Sequence, residues 1–126
     1  SVAEKFPIAL ATGSRRSDVN AAFEVLANGK LKKVFQTIIT SDDVSRPKPD
    51  PATYLKAVED LGLPAQNCLA IEDSHNGVSS AKNAGMRVLG ITAIHNASSL
   101  READWHLGSL ENLTADYLIS MFEKDK

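Results

Sequence analysis

The stretch Leu69-Ala70-Ile71-Glu72-Asp73-Ser74-His75-Asn76-Gly77 decides how the rest of the chain is read. An apolar run from Cys68 to Ile71 meets two adjacent acids. A short polar turn follows, then a small-residue helical stretch from Val78 to Ala84, closed by Gly85. A continuous apolar run of this length is the pattern of a strand buried on both faces. It delivers Glu72 and Asp73 at its carboxyl end, with a helix behind. In open α/β sheets ligands bind outside the carboxyl ends of the strands. Two carboxylates there suit a hard cation such as Mg2+.

Upstream, Phe6 to Ala11 is a second apolar run, ending in Thr12-Gly13-Ser14. It reads as a buried strand and a hydroxyl- and glycine-containing turn. Ser17 to about Asn28 repeats Val19, Ala22, Phe23 and Leu26 at helical spacing, with Ser17 as N-cap and Gly29 as stop. Phe35 to Thr40 is rich in β-branched residues and reads as a strand. A loop from Ser41 to Pro51 follows. Asp50 as N-cap and Pro51 at the first helical position start a helix with Tyr54, Leu55, Val58 and Leu61 on one face, stopped by Gly62.

Downstream, Arg87 to Thr92 reads as a strand and Ala97 to Ala103 as a short helix. Asp104 to Leu107 reads as a short edge strand, and Thr114 to about Glu123 as a closing helix with Tyr117, Leu118 and Met121 apolar. Strands alternating with helices imply parallel βαβ units with right-handed crossovers, hence a doubly wound parallel α/β sheet. Thr12, the Ser41 loop and Asp73 then face one crevice. No repeat, linker or low-complexity segment divides residues 1–126, which are read as one domain.

The totals narrow the function. A net charge of −2 without a basic cluster argues against nucleic acid as the main partner. No run approaches the ~18 apolar residues of a membrane span, and the first residues lack a signal-peptide core. A reducing cytoplasm is the expected setting. The single cysteine, Cys68, allows no disulfide framework and reads as a buried strand residue rather than a nucleophile.

The rim then offers Thr12 and Ser14 hydroxyls, the Gly13 backbone, the Lys48 cation between Pro47 and Pro49, and the acids Glu72 and Asp73. Hydroxyls, a lysine, backbone amides and a carboxylate-held metal together make a phosphate site. Each piece alone also reads as ordinary structure: a turn, a solvated lysine, a solvated acidic face. His75 reads as a turn residue before a general acid or base. Order and spacing along an alternating chain give the set its weight.

Ile8-Ala9-Leu10-Ala11-Thr12-Gly13-Ser14, Lys48-Pro49-Asp50-Pro51, and Ile71-Glu72-Asp73-Ser74 with Gly77, Ala81 and Ala84-Gly85 resemble the second, third and fourth motifs of the haloacid dehalogenase superfamily. The nearest likeness is to its β-phosphoglucomutase-like branch of sugar-phosphate phosphatases and mutases, and it covers nearly the whole chain. The resemblance implies that Thr12 and Lys48 are catalytic, with Thr12 and the Gly13 amide bonding the transferring phosphoryl group and Lys48 neutralising it. It implies Mg2+ on Asp73, with Glu72 as ligand or supporting partner. Ser14, Arg15 and Arg16 occupy a loop that in this branch contacts substrate, although a solvated helix start serves the two arginines equally well. The implied substrate is a small phosphorylated metabolite.

The pattern departs from the family in one respect. The family's first motif, Asp-x-Asp, supplies the nucleophile that becomes an aspartyl-phosphate, and this sequence contains no Asp-x-Asp. The helical cap that normally follows that motif is not seen either. The expectation is therefore a partial core, inactive alone, lacking the central strand between those ending at Thr12 and Ile71. That strand would come from an N-terminal segment in cis or trans, the gap would be filled by a second copy in a homodimer, or the flanking strands would pair directly. The alternative is a non-catalytic α/β domain that binds phosphate or Mg2+. A receiver-like domain fits poorly, because the order hydroxyl, lysine, acid pair does not match it.

Overall fold

A computed structural model of the chain describes residues 6–25, 34–92, 98–111 and 113–124. The elements run β1 (Ala9–Ala11), α1 (Arg16–Val25), β2 (Thr37–Ile39), α2 (Ala52–Leu61), β3 (Leu69–Glu72), α3 (His75–Asn83), β4 (Arg87–Ile91), β5 (Trp105–Leu107) and α4 (Ala115–Lys124). Every strand pairing is parallel. One sheet has the order β1-β2 and the other β3-β4-β5. The α/β architecture expected from strand–helix alternation is thus formed. Direct pairing of β1 with β3 is not, and the two strands stand in separate sheets.

The apolar runs divide between two faces, as a doubly wound sheet requires. On one face Ala70 and Val88 pack with Tyr54 and Val58 of α2 and Val78 and Ala81 of α3. On the other, Leu89 and Ile91 pack with Leu118 and Met121 of α4. Alternate side chains of a strand point to opposite faces, so a strand feeding both layers is apolar throughout. Ala11 packs against the first of these clusters and ties β1 to the same core.

Several expected helix faces are rotated. Leu55 is 46% exposed and Tyr117 43% exposed. The buried stripe of α2 is Thr53, Tyr54, Ala57 and Val58, which follows the i, i+3, i+4 rows of a helix more closely than the stripe read from the sequence. In α1, Val19 is buried and Ala22 exposed. The expected stop at Gly29, and Asn28 and Leu26 before it, lie outside the described residues. Gly62 ends α2 as expected, with a left-handed φ of 72° and its N–H donating to the Glu59 and Val58 carbonyls. The start of α2 is displaced by one residue: Pro51 is the cap position, and the Asp50 carboxylate accepts from the Ala52 N–H at 2.9 Å.

The expected helix from Ala97 to Ala103 is a turn over residues 98–103; Ala97 lies outside the described residues. Leu100 and Ala103 are buried. A Cβ built on Gly90 would lie 3.3 Å from each of them, so the turn seats directly on β4. The Asp104 N–H then donates to the Val88 carbonyl at 2.8 Å, committing the backbone to β5 before a helix can form. Cys68 is buried as expected but stands one residue before β3, at the end of the turn Ala65–Asn67, and burial pushes its thiol pKa up, as suits a packing residue. None of the described helices is long and apolar enough to cross a membrane.

These contacts make two statements about stability. The Asp104 carboxylate accepts from the N–H of fully buried Val88 at 2.8 Å and pairs with Lys82 at 3.0 Å. Asp104→Ala strands that N–H and is expected to cost about 1–3 kcal/mol, read by urea denaturation. Burial, then the charge and hydrogen bond of Glu72, raise the Tyr54 pKa well above the ordinary 10.0. The folded chain therefore holds the phenol proton more tightly than the unfolded chain. That stability is complete below pH 10 and is lost as the pH rises above it. Above pH 10 the native chain is expected to lose stability more steeply than Tyr54→Phe, by about 1.4 kcal/mol per pH unit, measured by denaturation across that range.

Candidate active site

β1 carries the chain to Thr12 at the carboxyl rim of its sheet. The Thr12 N–H donates to the Ile39 carbonyl at 2.9 Å and extends the pairing with β2 by one residue. Its hydroxyl oxygen accepts from the Ser14 N–H at 3.1 Å and turns the backbone sharply. The Ser14 carbonyl accepts from the Ser41 N–H at 3.0 Å. Gly13 sits exposed at the apex, and nothing lies within 4 Å of a Cβ built on it, so a ligand can approach its backbone.

Lys48 lies between the ends of the two sheets. Its Nζ donates to the Ala11 carbonyl at 3.2 Å and to Glu72 Oε1 at 2.5 Å, and stands 4.9 Å from the centre of the Tyr54 ring. The two charged side chains are only 17% and 9% exposed, which places the pair in a partly dry environment where a charge needs a partner. The loop carrying Lys48 is anchored from behind by α3. Fully buried Ser80 donates its hydroxyl to the Asp50 carbonyl at 2.7 Å, and Asn83 reaches the Pro49 carbonyl at 3.4 Å. The Lys48–Pro49 peptide is cis.

Glu72 ends β3 and folds back over the first turn of α3. Tyr54 donates its hydroxyl to Glu72 Oε1 at 2.5 Å. A Cβ built on Gly77 would fall on the Glu72 carboxylate, so only glycine leaves room there. Ser74 caps α3 by accepting from the Gly77 N–H at 3.0 Å. Asp73 is exposed beyond Glu72. His75, expected in a turn, is the first residue of α3, and its Nδ1 lies 3.2 Å from the Ser99 carbonyl.

The expected residues thus divide. Thr12 and Gly13 lie on β1's rim, Lys48 joins it to β3, and Glu72 and Asp73 stand at the end of β3. Arg16 belongs elsewhere. Its guanidinium donates to Asp43 Oδ2 at 2.7 Å and to the Ile38 carbonyl at 2.9 Å, so it is committed to the β2 side of the fold rather than offered to a phosphate. Arg15 pairs with Asp18 on the surface at 3.7 Å. The residue that sequence reasoning misses as part of the site is Tyr54. Helical spacing places it in the core, and its hydroxyl also fixes Glu72; a tyrosine near the start of a helix that begins at the rim is the available signal.

Asp73 and Glu72 have the oxygen chemistry that Mg2+ prefers, but they fall short in number and orientation. Among the described residues no three His, Cys, Asp or Glu side chains gather around one point. Glu72 Oε1 already accepts from Lys48 and Tyr54. The acids fit Mg2+ as a partial donor set, with Asp73 the more available of the two.

Comparison with known proteins identifies the family. The sequence profile of the haloacid dehalogenase-like hydrolases matches residues 2–91. Protein CbbY of Rhodobacter capsulatus is 36% identical over 104 residues, which is 82% of this chain and 46% of that protein. Validoxylamine A 7'-phosphate phosphatase of Streptomyces hygroscopicus subsp. limoneus is 36% identical over 100 residues, 79% of this chain and 46% of that enzyme. The crystal structure of a point mutant of CbbY from Rhodobacter sphaeroides in complex with xylulose-(1,5)bisphosphate superposes with a TM-score of 0.76 at 30% identity, covering 85% of this chain and 48% of that one. The chain spans about half the length of the relatives it matches. With the profile running unbroken from before β1 to the end of β4, the chain belongs to the haloacid dehalogenase-like hydrolases.

Proposed function

We propose that this chain is the phosphoryl-binding part of a Mg2+-dependent phosphatase or phosphomutase acting on small phosphorylated metabolites, sugar phosphates first. The observation that carries the reading is the placing of the Lys48 ammonium between the Ala11 carbonyl, one residue before Thr12, and the Glu72 carboxylate, one residue before Asp73. A cation, a hydroxyl, an open glycine backbone and an acid pair then share one rim. The relatives support the substrate class: one is named a phosphatase of validoxylamine A 7'-phosphate, and the CbbY crystal holds a sugar bisphosphate.

In this reading the Thr12 hydroxyl and the Gly13 N–H donate to phosphoryl oxygens, and Lys48 offsets the charge that spreads over them. Glu72 keeps Lys48 aimed at the rim, and Tyr54 and Gly77 keep Glu72 in place. Asp73, assisted by Glu72, would hold Mg2+, which when bound neutralises charge between the carboxylates and the phosphoryl group. None of these groups is a nucleophile for phosphorus. The aspartate that forms the covalent intermediate would come from a segment lying between β1 and β3, in cis or in trans. The non-catalytic alternative rests on the same gap in the sequence, the lack of an Asp-x-Asp.

Two experiments test the proposal. Inorganic phosphate titrated into the isotope-labelled chain is expected to shift the Gly13 amide. Lys48→Met is expected to weaken that binding by about tenfold or more, the loss of one charge-assisted contact; an unshifted Gly13 amide would remove the phosphate reading. The purified chain is expected to show no steady Mg2+-dependent phosphatase rate. A rate that is present and is lost in Asp73→Ala would mean that the chain supplies its own nucleophile.

A further inference from the structure

The turn that carries Thr12 and Gly13 is bound along its outer side to the segment that follows β2. Thr12 donates its N–H to Ile39, and Ser14 accepts from the Ser41 N–H at its carbonyl. The Arg16 N–H donates to Asp42 Oδ2 at 2.8 Å. At the centre of this seam one oxygen, Asp43 Oδ2, accepts three hydrogen bonds: from Arg16 Nη2 at 2.7 Å, the Thr40 N–H at 2.8 Å and the Thr40 hydroxyl at 3.1 Å. Arg16 Nη2 also donates to the Ile38 carbonyl at 2.9 Å. Thr40 is fully buried, so the assembly is rooted in the core.

We propose that Asp43 is a positioning residue for the phosphate-binding turn: through Arg16 and Thr40 it holds residues 12–16 against residues 38–43, so that the Gly13 amide is presented in a fixed direction. This inference rests on the reading of that turn as a phosphoryl site. A turn already fixed in its binding geometry does not give up conformational freedom when the ligand arrives, and its amide dipoles need no reorganisation. The Thr40 amide, opposed by partial burial and aided by Arg16, holds the Asp43 carboxyl below the usual carboxylate range. Asp43 is thus an anion across the neutral range, and Arg16 is its counterion.

Electrostatics alone makes a different forecast, which allows a clean test. If Arg16 and Asp43 acted on phosphate only through charge, Asp43→Asn would tighten phosphate binding and Arg16→Gln would weaken it. A positioning role makes both variants weaken it, by about three- to tenfold. It also makes the double variant no worse than either single one. The measurement is titration of inorganic phosphate into the isotope-labelled chain, together with the heteronuclear NOE of the Gly13 and Ser14 amides without ligand. Expected are lower NOE values at both amides in Asp43→Asn and in Arg16→Gln. In Asp104→Ala, less stable but remote from the turn, the NOE values and phosphate affinity are expected to stay at the native level. Opposite signs for the two variants, or a turn equally loosened in Asp104→Ala, would overturn the proposal. Should native chain bind no phosphate, the phosphoryl reading fails, and the NOE values still decide whether Asp43 orders the turn.

Discussion

The ion pair between Lys48 and Glu72 is the constraint on which the rest of the structure leans. It joins a two-stranded and a three-stranded parallel sheet that share no backbone ladder among the described residues. Removing either partner would leave the other charge largely out of water, a loss of several kcal/mol at such sites. The surrounding structure is arranged to prevent that. Tyr54 adds a hydrogen bond to the same Glu72 oxygen, Gly77 leaves space for the carboxylate, and Ser80 and Asn83 hold the loop from which Lys48 extends. Packing residues of α2 and α3 thereby become part of the site's geometry without facing a ligand.

Much of this is legible in the sequence. Apolar runs ending in Thr12 and in Glu72-Asp73 locate the strands, although the burial on both faces that such runs imply is incomplete: β1 is half-buried throughout and Ile71 of β3 is 38% exposed. Gly62 announces a helix stop, since only a residue at ease with positive φ closes the helix that way. Parallel strands put their carboxyl ends on the same side, so alternation brings Thr12, the loop of Lys48 and the acids near one another; the bridge between the two separate sheets is the reach of Lys48 from the Ala11 carbonyl to Glu72.

Side-chain commitments are less legible, because they depend on which of several near neighbours a long polar chain selects. Arg16 follows a promising turn in sequence, yet Asp43, 27 positions away, binds its guanidinium. Glu72 and Asp73 are adjacent and chemically alike, but they part at the strand end: the first turns into the company of Lys48 and Tyr54, the second into solvent. The turn over residues 98–103 reads as a helix because helical spacing is easily met in so short a run. What decides its conformation is the close approach to Gly90, a tertiary contact without a local signature.

The bond from Tyr54 to Glu72 also has an optical side. The chain has two tyrosines, and the other, Tyr117, is 43% exposed. A buried phenol donating to a carboxylate absorbs and emits differently from one in water. Any event that draws the Glu72 carboxylate away from Tyr54 alters that local environment while leaving Tyr117 as an internal reference. The site therefore carries a chromophore of its own, read as a difference in near-ultraviolet absorption, because the emission of the chain is dominated by its single tryptophan, Trp105, on β5.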